Sequence, residues 1–202
     1  GVAIELINRN KAHVEALKTK GAQVVGTVQF VQPVIAYTPD EISGQYDIIF
    51  LMTKQQNNAE VVEMLKSYLA PDGVLVTFQN GLPEMQIAEI LGEEHVLGCT
   101  VAWGATMQSP GVCELTSEPD ALSFSLGAIS TQRNKHFSKV KELLELMGTV
   151  DVEENFIGTR WSKLLINASF SGMSAVLGCT FGEAAKPRSS RRIVQALIKE
   201  CI

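Results

Sequence analysis

The chain has 202 residues, 46% hydrophobic and 19% charged, with a formal net charge of −5, a mixture typical of a globular protein. The acidic balance argues against a nucleic-acid partner, because neutralising phosphates with Lys and Arg dominates such affinity, and no apolar run approaches the ~18 residues that suggest a membrane span. Four widely spaced cysteines and three isolated histidines show neither metal-ligand spacing nor a disulfide framework, so the expectation is reduced thiols in a cytoplasmic protein with no metal site.

Gly1 opens directly into the strand-like run Val2-Ala3-Ile4-Glu5-Leu6-Ile7 without an initiator Met, so the start reads as truncated. Residues 2–8 read as a strand and 11–20 as a helix stopped by Gly21, with short extra strands at 23–25 and 32–35. Residues 47–52, apolar on both faces, form a second strand; 58–68 form an amphipathic helix closed by Pro71-Asp72-Gly73. Residues 74–78 are a third strand, Pro83 opens a helix reaching Leu91, a favoured place for proline, and 95–101 are a fourth strand. Continuous apolar strands alternating with helices indicate a doubly wound parallel sheet covered on both faces. Beyond Gly104, residues 111–116 and 121–126 read as two strands joined by the turn-like cluster Ser117-Glu118-Pro119-Asp120. A helix at 135–147 and a short strand at 149–152 follow. The polar break Glu153-Glu154-Asn155 divides the chain into an α/β domain, 1–155, and the start of an all-helical domain, 156–202.

Ligands of such sheets bind outside the carboxyl ends of the strands. Those ends carry Asn8-Arg9-Asn10-Lys11, Thr53-Lys54, Gln79-Asn80-Gly81 and Trp103-Gly104. Polar residues ordinarily follow strands, but together these suit one phosphate-bearing ligand lying across the sheet edge. If the first strand is the second of a dinucleotide-binding unit, a cation at Arg9 suits the 2′-phosphate of NADP, where an acidic residue would suit NAD. A solvated charge at a helix start is the bland alternative. The glycine-rich loop G-x-G-x-x-G that seats a pyrophosphate is absent, and would lie before Gly1.

Residues 161–171 form a mostly apolar helical stretch on which Lys163, Asn167 and Ser171 recur every four residues, about 40° apart, as one polar stripe. A buried lysine is costly unless paired or used. It either snorkels at a wet helix start or meets a carbonyl substrate with the amide beside it. The tail carries Lys186, Arg188, Arg191 and Arg192, read as solvated surface with anion binding as the sharper alternative, and Ser189 or Ser190 caps a helix at 191–201 that stops mid-element.

Lys54 after "DIIFLMT", "QNG" at 79–81 and "RWSKLLINAS" at 160–169 resemble the ketopantoate reductase family in order and spacing, along nearly the whole chain. The resemblance implies a Rossmann-like domain lacking its first strand and glycine loop, followed by the beginning of a helical substrate and dimerisation domain. It implies NADPH-dependent reduction of a 2-oxoacid, 2-dehydropantoate to pantoate on the route to coenzyme A, and leaves room for a homodimer. By position, Arg9 would meet the 2′-phosphate of NADP, Lys54 and Asn80 the nicotinamide-ribose side, with Asn80 also near substrate, and Gly104 would lie near the cofactor. Lys163 matches the family's catalytic lysine and Asn167 its first substrate-binding asparagine. Ser171 stands where a second asparagine is common, Phe181 replaces another polar position, and Asn57 replaces a common glutamine; these departures bear on the choice of 2-oxoacid. The same lysine–asparagine spacing occurs in β-hydroxyacid dehydrogenases, and a non-catalytic NADP-binding module would keep Arg9, Lys54 and Asn80 but have no use for Lys163. Without the glycine loop, the 202-residue chain is expected to be inactive by itself.

Overall fold

A computed structural model describes residues 3–130 and 134–201; Val2, where the first strand was expected to begin, lies outside them. β1 (Glu5–Ile7) leads into α1 (Lys11–Lys20), which Asn10 caps by accepting a hydrogen bond from the His13 amide at 3.2 Å. β2 (Ala22–Gly26), β3 (Phe30–Gln32), β4 (Ile35–Tyr37) and β5 (Tyr46–Leu51) follow, then α2 (Asn58–Lys66) and β6 (Leu69–Thr77). α3 (Pro83–Leu91) begins on its proline as expected, and leads to β7 (Val96–Val101), β8 (Ala105–Ser109), β9 (Val112–Leu115) and β10 (Ser123–Ala128). α4 (Phe137–Glu145) and β11 (Thr149–Glu153) complete the α/β part. The helical segment holds α5 (Phe156–Ile166), a π-helical turn at Asn167–Ser171, α6 (Gly172–Leu177), α7 (Phe181–Ala185) and α8 (Arg188–Glu200).

The central sheet has the order β11-β10-β7-β6-β5; β5, β6 and β7 are parallel neighbours, and β10 runs antiparallel to β7. Alternate side chains of its strands build two cores, as a sheet covered on both faces requires. Val74, Val76, Leu97, Cys99, Phe124 and Leu126 pack beneath Phe137, Val140 and Leu144 of α4. On the other face Leu51, Leu75 and Val96 meet Val62 of α2 and Ile87 of α3. Each such fully buried side chain contributes about 1.5–3 kcal/mol. α1 covers the separate parallel pair β1-β4, its Val14 and Leu17 clustering with Ala36 of β4.

The structure corrects three expectations. First, β1 pairs with β4 and is not in the sheet of β5, β6 and β7, so only three of the four strand ends are neighbours in one sheet. β1 is short and half wet, and its link to the main sheet is a hydrogen bond from the Tyr46 hydroxyl to the Glu5 carboxylate. Second, the expected hairpin of 111–116 with 121–126 does not form. β9 pairs with β8 across the turn at Pro110-Gly111 and with β2, while β10 belongs to the central sheet. β8 is short, mixed in character and exposed throughout, so it leaves no periodic signal, and Ser117–Asp120 carries the chain from one sheet to the other. Third, Ser189 and Ser190 do not cap α8, whose N-cap is Pro187; the buried Ser190 hydroxyl instead donates to the Ala184 carbonyl at 2.5 Å. The four cysteines are unpaired. His13 accepts from the Gly111 amide through Nδ1, and His95 Nδ1 lies 2.8 Å from the Gly73 carbonyl, both structural ties.

α5 starts five residues before the apolar stretch 161–171 read from the sequence, because Asn155 caps it through the Gly158 amide at 3.0 Å. Its first residue, the buried Phe156, lies on the sheet where Gly98 of β7 and Gly127 of β10 stand directly opposite each other in register. A Cβ on Gly98 would come within 1.9 Å of the Phe156 ring, and one on Gly127 within 2.5 Å of Phe156 Cβ. The two glycines are the window that lets the helix approach. Gly98→Ala is therefore expected to lower stability by about 1–3 kcal/mol or more through overpacking. Gly172→Ala, in helical backbone with nothing within 4 Å of the new Cβ, should instead raise it by about 0.5–1 kcal/mol. Urea unfolding checks both; a neutral Gly98→Ala would contradict the window.

Candidate active site

The carboxyl ends of β5, β6 and β7 lie along one edge of the central sheet. Residues 52–56 after β5 and 78–80 after β6 line a cleft of about 420 Å³. Gln79 is buried and latches the two loops together. Its Nε2 donates to the Thr53 carbonyl at 2.8 Å and to Asn58 Oδ1 at 2.7 Å, while its Oε1 accepts from Asn58 Nδ2 at 2.9 Å. With Gln79 spent on this network, Asn80 stays exposed at the cleft, its carbonyl accepting from Gln55 Nε2. Gly81 turns the chain with φ +86°, a conformation that L side chains rarely adopt, and an added Cβ would meet Gln55 Nε2 at 2.8 Å. Lys54 is exposed on the opposite lip.

At the end of β7, Lys163 reaches from α5 and donates its ammonium to the Val101 carbonyl at 2.7 Å. The half-buried lysine is held below its ordinary value, first by desolvation and then by the charge of Arg160 one turn back, with the Cys99 thiol opposing weakly. Burial pushes Cys99 itself up to about 12, so it stays a neutral thiol. Trp103, just past β7, packs edge-on against Phe124 at 5.9 Å and keeps its indole Nε1 buried without a hydrogen-bond partner among the described residues.

The polar stripe continues across a change of helix type. Asn167 is half-buried and Ser171 exposed, and between them the helix widens into its π turn, a deformation frequent at functional sites. The Ser169 hydroxyl bonds back to the Leu165 carbonyl at 2.7 Å, a contact that bends helices. Phe170 in the turn stacks on Phe181 of α7 at 5.8 Å. The structure thus brings Lys54, Asn80 and Lys163 to one sheet edge, with Asn167 one turn beyond Lys163. Arg9 is exposed between β1 and α1 and does not line the cleft. Gly104 is spoken for: its amide donates to Ser117 Oγ at 2.9 Å and its carbonyl accepts from the Thr116 amide and hydroxyl.

Sequence reasoning missed Arg160 and Glu84. Arg160 is 1% exposed and Glu84 fully buried. The guanidinium donates through Nε to Glu84 Oε1 at 2.8 Å, through Nη1 to the Gln79 carbonyl at 2.6 Å and through Nη2 to the Thr77 carbonyl at 3.2 Å, and stands over the Phe156 ring at 5.1 Å. Burial pushes the Glu84 carboxyl up, and the adjacent guanidinium pulls it back. An Arg inside an apolar helical window was the available signal; its partner, 76 residues earlier, was not legible.

Comparison with known proteins is decisive for kinship. The family model described as ketopantoate reductase PanE/ApbA matches residues 1–128, and its C-terminal companion matches 155–202. The chain belongs to the ketopantoate reductase family. Similar relatives include a 2-dehydropantoate 2-reductase of Streptococcus pyogenes serotype M1, 26% identical over 199 residues that make up 98% of this chain and 64% of that protein. Another, from Pyrococcus horikoshii, is 29% identical over 179 residues, 88% of this chain and 57% of the relative. The chain therefore spans about two thirds or less of the curated relatives it matches. Among solved structures, 2-dehydropantoate 2-reductase from Geobacter metallireducens GS-15 superposes with a TM-score of 0.86 at 23% identity, covering 100% of this chain and 66% of that one. D-Mandelate dehydrogenase in complex with NADH superposes with 0.85 at 19%, covering 100% and 64%. The ketopantoate reductase fold, a Rossmann-type α/β part followed by helices, is the fold of this chain.

Lys163 gives this family member a testable pH signature. Between its depressed folded value and the ordinary 10.5, the unfolded chain binds the proton more readily than the folded one, so this group makes stability rise with pH across that window. Lys163→Met should accordingly raise the melting temperature near pH 7, where the charge is held at a cost, and the gain should shrink as the pH approaches about 10.5. Melting curves across that range check it; a lower melting temperature near pH 7 would show the ammonium to be net stabilising.

Proposed function

We propose that this chain carries the reductive site of an NADPH-dependent 2-oxoacid reductase acting on 2-dehydropantoate to yield pantoate, in a cytoplasmic enzyme. The observation that carries the reading is Lys163, an ammonium held at the end of β7 beside the cleft. The two parts take the roles of a nucleotide-binding domain, residues 1–155, and the beginning of a substrate domain, 156–202. A nicotinamide nucleotide fits the groups present: the cleft offers the apolar side chains of Met52 and Phe78, the exposed Asn80 carboxamide and the Lys54 cation. Arg9, an exposed cation after β1, suits a 2′-phosphate and favours NADP over NAD. When bound, the reduced nicotinamide supplies a hydride.

The chain's own residues do the rest. As the ketone is reduced, negative charge gathers on its oxygen, and an ammonium poised there both stabilises that charge and donates the proton. A lysine with a depressed pKa gives up that proton more readily near neutral pH than an ordinary one. Asn167 can hydrogen-bond a substrate hydroxyl or carboxylate without adding charge, and the exposed Ser171 hydroxyl can do so at shorter reach. Asn80 orients ligand from the other side of the cleft. Gly104, with its backbone groups engaged, keeps only a supporting place near the cofactor.

The test is NADPH oxidation with 2-dehydropantoate by the longest natural chain that carries this segment, run beside NADH and beside Lys163→Ala. Turnover that prefers NADPH and drops about 10²-fold or more in the variant is expected. Turnover unaffected by Lys163→Ala would remove the lysine from the mechanism. NADPH binding without turnover on any 2-oxoacid would point to a nucleotide-binding module.

A further inference from the structure

The buried pair of Arg160 and Glu84 has no good explanation in stability. An apolar pair of similar volume is often as stable or more so in such a position, and Glu84 Oε2 is buried with no hydrogen-bond partner among the described residues. What the pair does uniquely is geometric. The acceptors of the guanidinium are the Thr77 and Gln79 carbonyls at the end of β6 and the Glu84 carboxylate in the first turn of α3. They bracket the turn that presents Asn80. The guanidinium itself comes from α5, three residues and about 4.5 Å of helix rise before Lys163. One side chain therefore ties the Asn80 turn to the helix bearing the ammonium.

We propose that Arg160 is a positioning residue, which holds the Asn80 turn and Lys163 as one rigid unit, with Glu84 fixing the orientation of its guanidinium. The proposal rests on the reading of Lys163 as the proton donor. A planar fork suits the task because it bonds three acceptors at fixed angles, which a lysine cannot. The guanidinium has a second effect through space. Among the described residues, the groups facing Lys163 are Arg160 on its own helix and the Cys99 thiol on β7, with Glu84 of α3 acting through Arg160; of these only Arg160 opposes the ammonium charge. The same contact that sets the distance thus helps to keep Lys163 a ready acid.

The experiment compares three forms of the longest natural chain carrying this segment: unaltered, Arg160→Lys, and the double variant Glu84→Met with Arg160→Met. The double variant leaves no uncompensated buried charge and is expected to melt cooperatively. Its kcat should fall about 10- to 100-fold, the scale of a small misplacement, with KM for the 2-oxoacid changing much less. The basic limb of its pH profile, where the donor loses its proton, should move to higher pH. Arg160→Lys keeps the charge and loses the fork, so kcat should fall while the limb stays closer to that of the unaltered enzyme. A double variant with unaltered kcat and an unmoved limb would overturn the proposal, as would Arg160→Lys with full kcat. If the double variant does not fold, Arg160→Lys decides. If the unaltered protein reduces no 2-oxoacid, the functional reading fails separately. NMR titration of Lys163 in the 202-residue chain then tests the coupling: a rise in its pKa in the double variant upholds it, and no change refutes it.

Discussion

The site depends on how closely α5 can lie on the central sheet. Gly98 and Gly127, opposite each other on antiparallel strands, open a patch without side chains, and Phe156 fills it. That contact brings the first turn of α5 down to the sheet. Arg160, one turn on, then reaches the end of β6, and Lys163, nearly one turn further, reaches the end of β7. With any side chain at the two glycines the helix would ride higher and both reaches would fail. A packing constraint at one end of the helix thus determines polar geometry at the other.

The polar groups brought together this way are expensive ones. A fully buried guanidinium and a half-buried ammonium on α5 gather with a carboxyl of α3 that has one oxygen unsatisfied among the described residues. Desolvation opposes each of them, and interior packing elsewhere has to offset that cost. The two cores supply it: α4 on one face and α2 with α3 on the other seal a strand set whose central residues are fully excluded from water. Fixing such groups before a ligand arrives is the usual way for a site to be preorganised.

Much of this was legible in the sequence, for identifiable reasons. Residues 48–52 and 74–76 are unbroken apolar runs, so their strands and the ligand-binding edge beyond them follow from periodicity and the crevice rule. The stripe of Lys163, Asn167 and Ser171 stands out because charge is rare on a greasy helix. Other features left no local trace. β8 is short, mixed in character and wet, so the hairpin was assigned to the wrong pair of strands. The π turn at Asn167–Ser171 arises inside a sequence with ordinary helical spacing. Arg160 stands out in an apolar helical window, but Glu84, 76 residues earlier, reads as a surface charge at a helix start. Gly98 and Gly127 look like weak points in strands until their register shows that they face each other.

The central claim, that α5 is part of the sheet's cooperative unit and not a loosely attached helix, is tested most directly by native-state hydrogen exchange. The account predicts that the amides of α5 around residues 160–164 exchange only through the opening that also exposes the amides of β7 and β10, with matching free energies and denaturant dependence. Exchange of those α5 amides through a much smaller, local opening, while β7 and β10 stay protected, would contradict it.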